Sequence, residues 1–292
     1  MIAEGALSGL HQAAARGSSV EFAEFKEYSP GDEIRHIDWR VYAKADRYVV
    51  RQFEQETELT AQLVLDASAS MSYQGRNDLS KFAYGAHLLG ALCHLLIRQR
   101  DRAGLLLFGD RTVDHFVPPR SRASHGRDLL AVMEMALSKG PAGNESVAEA
   151  LERITEVTAR KRQLIVIASD FFDQELNRTL DALKWLRARG HDVVVFHILA
   201  PDELNLPFEG LTKFISFESK RELLASPRSI SREYTKRLHA FLEKIASECI
   251  AAGVEYYKAP THHPLETLIG SFLASRSRDA RSQVPPESSW NS

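Results

Sequence analysis

The sequence predicts an α/β protein, with a doubly wound, mostly parallel sheet and an N-terminal β-rich extension. From about residue 61 to residue 275, short continuous apolar strands alternate with amphipathic helices. Continuous apolar strands are typical of a parallel sheet that helices cover on both faces. Residues 1–60 instead combine many charges with aromatic side chains, and so short a segment would struggle to form its own core. We therefore predict an extension at 1–60 and an α/β domain at 61–275.

The composition favours a globular protein that binds neither nucleic acid nor a membrane. The chain of 292 residues is 44% hydrophobic, enough for a sizeable core, and its formal net charge is only −2. So small a net charge creates no field that would attract nucleic acid or an anionic lipid surface. The first residues lack the features of a signal peptide, and no apolar run reaches the length of a membrane span. We therefore expect a cytoplasmic protein without membrane insertion.

The first half of the chain places its elements in a regular order. Within the extension, Arg47–Phe53 is rich in β-branched and aromatic residues and predicts a strand. Leu63–Leu65 is the first core strand, and apolar residues at three- and four-residue steps predict a helix from Asp78 to Gln99. Gly104–Phe108 is the next core strand, and the alternating stretch Thr112–Val117 predicts an antiparallel edge partner for it.

The second half continues the alternation. Arg127–Leu137 is predicted as a helix, and Ser146 with Glu149 matches a capping box that opens the next helix. The later predicted strands and helices are Leu164–Ala168, Glu175–Arg189, Val193–Leu199, Phe214–Phe217, Ser229–Ala252, Val254–Tyr257 and Leu265–Ala274. Residues 276–292 are polar and rich in Pro and Ser, which predicts a disordered tail.

A polar motif directly follows the first core strand. Asp66, Ser68 and Ser70 form the pattern D-x-S-x-S, and Asp170 follows another predicted core strand. Doubly wound sheets bind ligands at the carboxyl ends of their strands, where these side chains should converge. Carboxylate and hydroxyl oxygens suit Mg²⁺, with Mn²⁺ or Ca²⁺ as alternatives. In the other interpretation the serines only cap or turn the chain, and Asp66 accepts hydrogen bonds from loop amides.

The same residues argue against most enzyme classes. An aspartyl-phosphate phosphatase would need a second aspartate two residues after Asp66, where Ser68 stands. The chain contains no G-x-S-x-G nucleophile elbow, and neither a phosphate-binding loop nor G-x-G-x-x-G follows any strand. We therefore expect an interaction protein without catalysis. The alternatives are a metal-dependent phosphoester hydrolase that uses the same acids, and a structural scaffold whose extension alone binds partners.

Several segments together resemble a known bacterial family. The D-x-S-x-S motif and the later strand-end aspartate resemble the metal-ion-dependent adhesion site of von Willebrand factor A-type domains. The segments Tyr28–Asp32, Arg35–Trp39 and Val50–Phe53, leading into Val64–Met71, are similar to the hallmark of the domain of unknown function 58 family. The similarity extends over nearly all of residues 10–275. It implies a von Willebrand A-like fold.

The resemblance also implies site residues and partners. Asp66, Ser68 and Ser70 would be direct metal ligands and Asp170 the strand-end acid. A threonine of the usual adhesion site is replaced here by Glu145, which could bind the ion itself, or Ser146 could supply the hydroxyl after a one-residue slip. Family members are thought to act with MoxR-type AAA+ ATPases in the assembly of protein complexes. The implied partner is therefore such an ATPase or its client protein.

The segment around Trp39 offers two interpretations. In the first, the extension is held on the sheet domain through charge pairs and one buried indole, from Arg35, His36, Asp38, Trp39 and Arg40. In the functional interpretation, the segment is a docking surface for an ATPase, with Arg35, Asp38 and Arg40 as the partner-binding residues.

Overall fold

The computed structural model describes residues 21–29, 37, 39, 41–42, 47–54, 59–109, 115–143, 145–158, 162–173, 175–217 and 221–282. The chain divides into two compact units, one of Leu59–Phe272 and one of Met1–Glu58 with Leu273–Ser292. In the described part of the second unit, two strands pair antiparallel. The predicted partner-binding residues Arg35, Asp38 and Arg40 lie outside the described residues, as does His36. Trp39 is described and is 57% exposed, so the prediction of a buried indole there is wrong.

Strands and helices alternate along the described chain as predicted. The strands are β1 Glu21–Glu27, β2 Val49–Glu54, β3 Thr60–Asp66, β4 Arg102–Phe108, β5 His115–Arg120, β6 Leu164–Ser169, β7 Asp192–Leu199, β8 Thr212–Ile215, β9 Glu222–Ala225 and β10 Glu255–Pro260. The α-helices are α1 Lys81–Arg98, α2 Ala123–Lys139, α3 Val147–Val157, α4 Leu176–Ala188, α5 Pro201–Asn205, α6 Pro227–Ala251 and α7 Leu265–Ser282. A short 3₁₀ helix occupies Ala69–Ser72.

The central sheet has the strand order β10–β7–β6–β3–β4–β5. Its strands run parallel except for β5, which pairs antiparallel with β4 at the edge. The chain builds the sheet outward from β3 in one direction and from β6 in the other. The strand order therefore reverses between β3 and β6, and this switch point is where such sheets bind ligands.

Helices cover both faces of this sheet because its strands are apolar on both sides. Val64 packs in a buried cluster with Leu151 of α3, Leu183 of α4 and residues of α6. The next residue, Leu65, points to the other face. There it lies so close to α1 that a methyl group on Gly85 would come within 3.1 Å of it. The predicted doubly wound, mostly parallel sheet is confirmed.

Two elements differ from the sequence-based expectations. The strand predicted at Phe214–Phe217 is β8, which pairs with β9 in a separate two-stranded hairpin and does not join the central sheet. The last helix continues to Ser282, so residues 276–282 are helical although they were predicted as part of a disordered tail. Arg and Ala favour helix, and extending a formed helix is much easier than starting one.

Among the described helices, none combines the length and the apolar character needed to cross a lipid bilayer.

Candidate functional site

Asp66 and Ser169 join the ends of the two strands at the switch point. Asp66 is the last residue of β3 and Ser169 the last residue of β6. Ser169 Oγ donates a hydrogen bond to Asp66 Oδ2 at 2.5 Å, and Asp66 is only 2% exposed. Ser169 is therefore a site residue that the sequence analysis missed. Its signal was a serine at the end of an otherwise apolar strand.

The Asp66 carboxyl ionises less readily than an ordinary aspartate. Burial raises its pKa from 3.8 to about 7, and the negative charge of Asp170 acts in the same direction. Hydrogen bonds from Ser169 and Ser68 oppose this shift. Near neutral pH the carboxyl is thus divided between protonated and ionised forms. A positive charge beside it would favour the ionised form, which is the form that binds a cation.

The D-x-S-x-S loop brings its two hydroxyls together. The Ser68 amide donates to Asp66 Oδ1 at 2.8 Å, which turns the chain immediately after β3. Ser68 is the N-cap of the 3₁₀ helix, and its hydroxyl lies 3.1 Å from that of Ser70. The structure therefore places Asp66, Ser68 and Ser70 in one oxygen-rich group, as predicted. All three residues are buried.

Asp170 follows β6 and is engaged by a lysine. Lys81 Nζ lies 2.7 Å from Asp170 Oδ2, and both side chains are 1% exposed. The other carboxylate oxygen, Oδ1, accepts a hydrogen bond from the Phe172 amide at 3.0 Å. The intervening Phe171 has a φ of 54°, so the chain turns sharply here. Asp170 therefore lies near Asp66, as its effect on the pKa indicates, but its carboxylate has protein partners.

Lys81 is a second site residue that the sequence analysis missed. It is the first residue of α1, after the N-cap Ser80. Its ammonium also contacts Glu203 Oε1 at 2.6 Å and lies 4.9 Å from the centre of the Phe172 ring. A positive charge in the first turn of a helix opposes the helix dipole. That unfavourable position was the signal that could have revealed Lys81.

The opposite charges of Lys81 and Glu203 each favour the ionised form of the other. Burial by itself would lower the pKa of Lys81, but Asp170 and Glu203 more than compensate and raise it. Burial raises the pKa of Glu203, and the charge of Lys81 opposes that shift. Glu203 Oε2 also accepts from the Ala200 amide at 2.9 Å. Lys81 therefore stays charged and links α1, the end of β6 and α5.

Glu145 has structural partners for both carboxylate oxygens. Oε2 accepts from the Gly109 amide at 3.2 Å, and Oε1 lies 2.8 Å from Arg153 Nη2. Ser146, the alternative ligand, accepts from the Glu149 amide at 3.1 Å in the predicted capping box, which is confirmed. Both side chains therefore have protein partners in place of an ion.

The donor set suits a hard divalent cation, although it is small. In the described part of the chain, no group of three or more His, Cys, Asp or Glu side chains is placed to hold a metal ion. A cation at this edge would therefore depend on hydroxyl oxygens as well as a carboxylate. Asp66, Ser68 and Ser70 supply oxygen donors of the kind that Mg²⁺, Mn²⁺ and Ca²⁺ accept. They fit such an ion better than Glu145 and Asp170, whose carboxylates are paired with the cations Arg153 and Lys81. The hydrogen bonds that the Asp66 carboxyl accepts come instead from a neutral amide and a neutral hydroxyl.

The chain is similar to several known proteins. The sequence model described as "Protein of unknown function DUF58" matches residues 24–240. The uncharacterized protein Rv1480 of Mycobacterium tuberculosis is 27% identical over 285 residues, which cover 95% of this chain and 86% of that protein. The uncharacterized protein Mb1516 of Mycobacterium bovis matches with the same identity and coverage.

Two solved structures align with most of the chain at low similarity. The conserved hypothetical protein BatB from Bacteroides thetaiotaomicron has a TM-score of 0.49 and 16% identity, over 75% of this chain and 99% of that one. The VWA domain of SpRpn10 has a TM-score of 0.43 and 14% identity, over 75% of this chain and 95% of that one. The strand order of the central sheet, β10–β7–β6–β3–β4–β5, defines the fold of this chain.

Proposed function

The chain belongs to the DUF58 family, and from this membership together with the polar cluster at the switch point we propose a non-catalytic interaction protein. Its docking site lies at the carboxyl ends of β3 and β6. The observation that carries the proposal is the buried Asp66 carboxyl, which lies beside two hydroxyls with its pKa raised to about 7. Such a carboxyl is suited to a cation, and a partner can use that cation as its anchor.

Asp66, Ser68 and Ser70 would hold the ion, with Mg²⁺ as the first choice. Bound there, the cation would offer a coordination position to a carboxylate of the partner. The protein's own residues prepare this position. The Ser68 amide and Ser169 hydroxyl orient the Asp66 carboxyl, and the backbone of Gly143 accepts a hydrogen bond from Ala69 at 3.0 Å, which anchors the loop.

Exposed apolar side chains lie next to this loop and extend the proposed docking site. Tyr73, which follows the 3₁₀ helix, packs edge-on against Phe217 beyond β8, with ring centroids 6.0 Å apart. Arg76 donates to the Pro207 carbonyl at 2.9 Å, which joins the same loop to the segment before β8. On the hairpin, Ile215 and Leu224 are 54% and 62% exposed. The proposed docking site therefore consists of the polar group of Asp66, Ser68 and Ser70 together with this hairpin of β8 and β9.

The family resemblance suggests the partner. We propose a MoxR-type AAA+ ATPase, or a client protein of that ATPase, with a carboxylate beside apolar residues at its contact. We also propose a cytoplasmic location, because an ATPase partner requires the ATP of the cytoplasm. Metal-dependent turnover of a generic phosphate ester that is abolished by Asp66→Asn would contradict it and favour the hydrolase.

Ser70→Ala should weaken capture of the ATPase by about tenfold or more, because loss of even a residue that hydrogen-bonds to a metal ligand commonly lowers metal affinity by about 10- to 100-fold. The measurement is capture of purified ATPase by the full chain, with Mg²⁺ and with chelator. Ser72→Ala is the matched control, since the Ser72 hydroxyl in the same 3₁₀ helix donates instead to the Ala69 carbonyl at 2.6 Å. Equal capture by wild type and Ser70→Ala would rule out anchoring through the ion.

Leu224→Ser should also reduce capture, by about 1 kcal/mol or more of binding free energy, since full burial of a leucine side chain contributes about 1.5–3 kcal/mol. This loss should persist in chelator, because it does not depend on the ion. Ile250→Ser is the control: Ile250 is 71% exposed in the last turns of α6, close to where β10 begins. A similar loss in both variants would mean that the hairpin has no special role.

A further inference from the structure

We propose that Lys81 is a built-in cation that sets the net charge of the docking site and thereby limits how strongly it binds a divalent ion. This inference rests on the proposed function and adds a residue to it that the D-x-S-x-S motif does not contain. Lys81 would act by occupying Asp170 and Glu203, so that neither carboxylate serves as a direct ligand. The ion would then be left to Asp66 and the two serines.

The geometry around Lys81 carries the inference. Its ammonium lies between two carboxylate oxygens, at 2.7 Å from Asp170 and 2.6 Å from Glu203. The lysine is 1% exposed, so water can do little to screen its charge. Burying an ammonium group is costly unless it is paired, which explains why both acids are drawn to it. Lys81 therefore holds one oxygen of each carboxylate, and backbone amides hold the other oxygens.

The cluster carries a net negative charge that favours a divalent ion. With all groups ionised, the carboxylates of Asp66, Asp170 and Glu203 carry three negative charges and Lys81 carries one positive charge, which leaves −2. Asp202, the residue before Glu203, adds a further carboxylate, since the Arg76 amide that donates to it at 3.0 Å is neutral. A divalent cation beside Asp66 would offset two of these negative charges. Without Lys81 the same cluster would be one charge more negative.

The opposing explanation is that Lys81 only joins α1, β6 and α5 mechanically. The two explanations predict opposite signs for one variant, Lys81→Met, and the same sign for Glu203→Gln. Lys81→Met removes a positive charge and should strengthen ion binding, whereas Glu203→Gln removes a negative charge and should weaken it. A purely mechanical role would make both variants worse, because each breaks the same contact.

The experiment titrates Mn²⁺ into the full chain, wild type and each variant, by calorimetry, with thermal unfolding followed in parallel. We expect Lys81→Met to bind Mn²⁺ at least about tenfold more tightly than wild type, and Glu203→Gln at least about threefold more weakly. We also expect Lys81→Met to be less stable than wild type in chelator but to regain more stability when Mn²⁺ is added.

Each result decides between the explanations. Weaker binding in both variants, with intact binding in wild type, would overturn the role of Lys81 and leave the proposed ion site standing. If wild type binds no Mn²⁺, the ion part of the proposed function fails. The inference then survives only if Lys81→Met gains binding, and is overturned if it does not. If Lys81→Met does not fold, Lys81→Gln takes its place, because it removes the charge but keeps a hydrogen-bond donor; tighter Mn²⁺ binding than wild type supports the inference, and equal or weaker binding overturns it. Unchanged affinity in Glu203→Gln also overturns it.

Discussion

Gly109→Ala should lower the free energy of unfolding by about 3–5 kcal/mol and displace the D-x-S-x-S loop. Gly109 follows β4 with a φ of +134°, which other residues rarely adopt. A methyl group there would lie 2.5 Å from the Ala67 carbonyl oxygen and 2.7 Å from the Ser68 amide nitrogen. These are backbone atoms that move only with the whole loop, so backbone strain and overpacking both add to the cost. Chemical denaturation measures this loss.

Comparison with a second glycine separates the cost of backbone strain from the cost of steric overlap. Gly140, the C-cap of α2, also has a positive φ of +76°, but a methyl group there would meet nothing within 4 Å. Gly140→Ala should therefore cost only about 1–2 kcal/mol, the conformational part of the penalty. Equal losses in the two variants would mean that the loop can move away without cost, and that Gly109 does not hold the site in place.

Asp66→Asn should make the protein more stable than wild type at pH 8 in chelator, by as much as about 4 kcal/mol. Folding raises the pKa of Asp66 from 3.8 to about 7, so the folded state holds this proton more tightly than the unfolded state. The associated stability is complete below about pH 4 and is lost as the pH rises through about 7. Each pKa unit corresponds to about 1.4 kcal/mol. Asparagine stays neutral and avoids the loss.

The measurement compares denaturation of wild type and Asp66→Asn at pH 4 and pH 8, in chelator and in Mg²⁺. The difference in free energy of unfolding between Asp66→Asn and wild type should be small at pH 4. At pH 8, Mg²⁺ should stabilise only the wild type, because a bound ion favours the ionised carboxylate. Asp128→Asn, on the exposed surface of α2, makes the same change in net charge and should shift stability at pH 8 by less than about 0.5 kcal/mol. An Asp66→Asn protein that is less stable than wild type at pH 8 in chelator would disprove that burial of the ionised Asp66 carboxylate destabilises the folded state.

Much of the architecture could be predicted because it depends on local patterns. Leu63–Leu65 and Gly104–Phe108 are continuous apolar runs, and both lie within strands of the central sheet. The capping box at Ser146 is a signal only four residues long, and it was predicted correctly. The hairpin of β8 and β9 was harder to predict because a short strand with exposed side chains has no clear apolar pattern.

The site was predictable only in part. Parallel strands end at one edge of the sheet, so Asp66 and Asp170 had to lie at that edge once the strands were assigned. Which group would neutralise each acid was not contained in that pattern. Glu145 was expected to bind an ion, yet its carboxylate contacts Arg153 and the Gly109 amide.

The amino-acid order alone determined the doubly wound sheet and the edge where the acids lie, because burial repeats along a strand or helix at short, regular intervals. The family was indicated instead by segments that resemble its hallmark, and the family model matches residues 24–240. The tertiary structure decided the pairing of charges. Lys81 is 89 residues from Asp170 and 122 residues from Glu203 in the chain, and Ser169 is 103 residues from Asp66. No local period relates residues so far apart. Only the packing of α1 and α5 against the strand ends places the ammonium between its two acids.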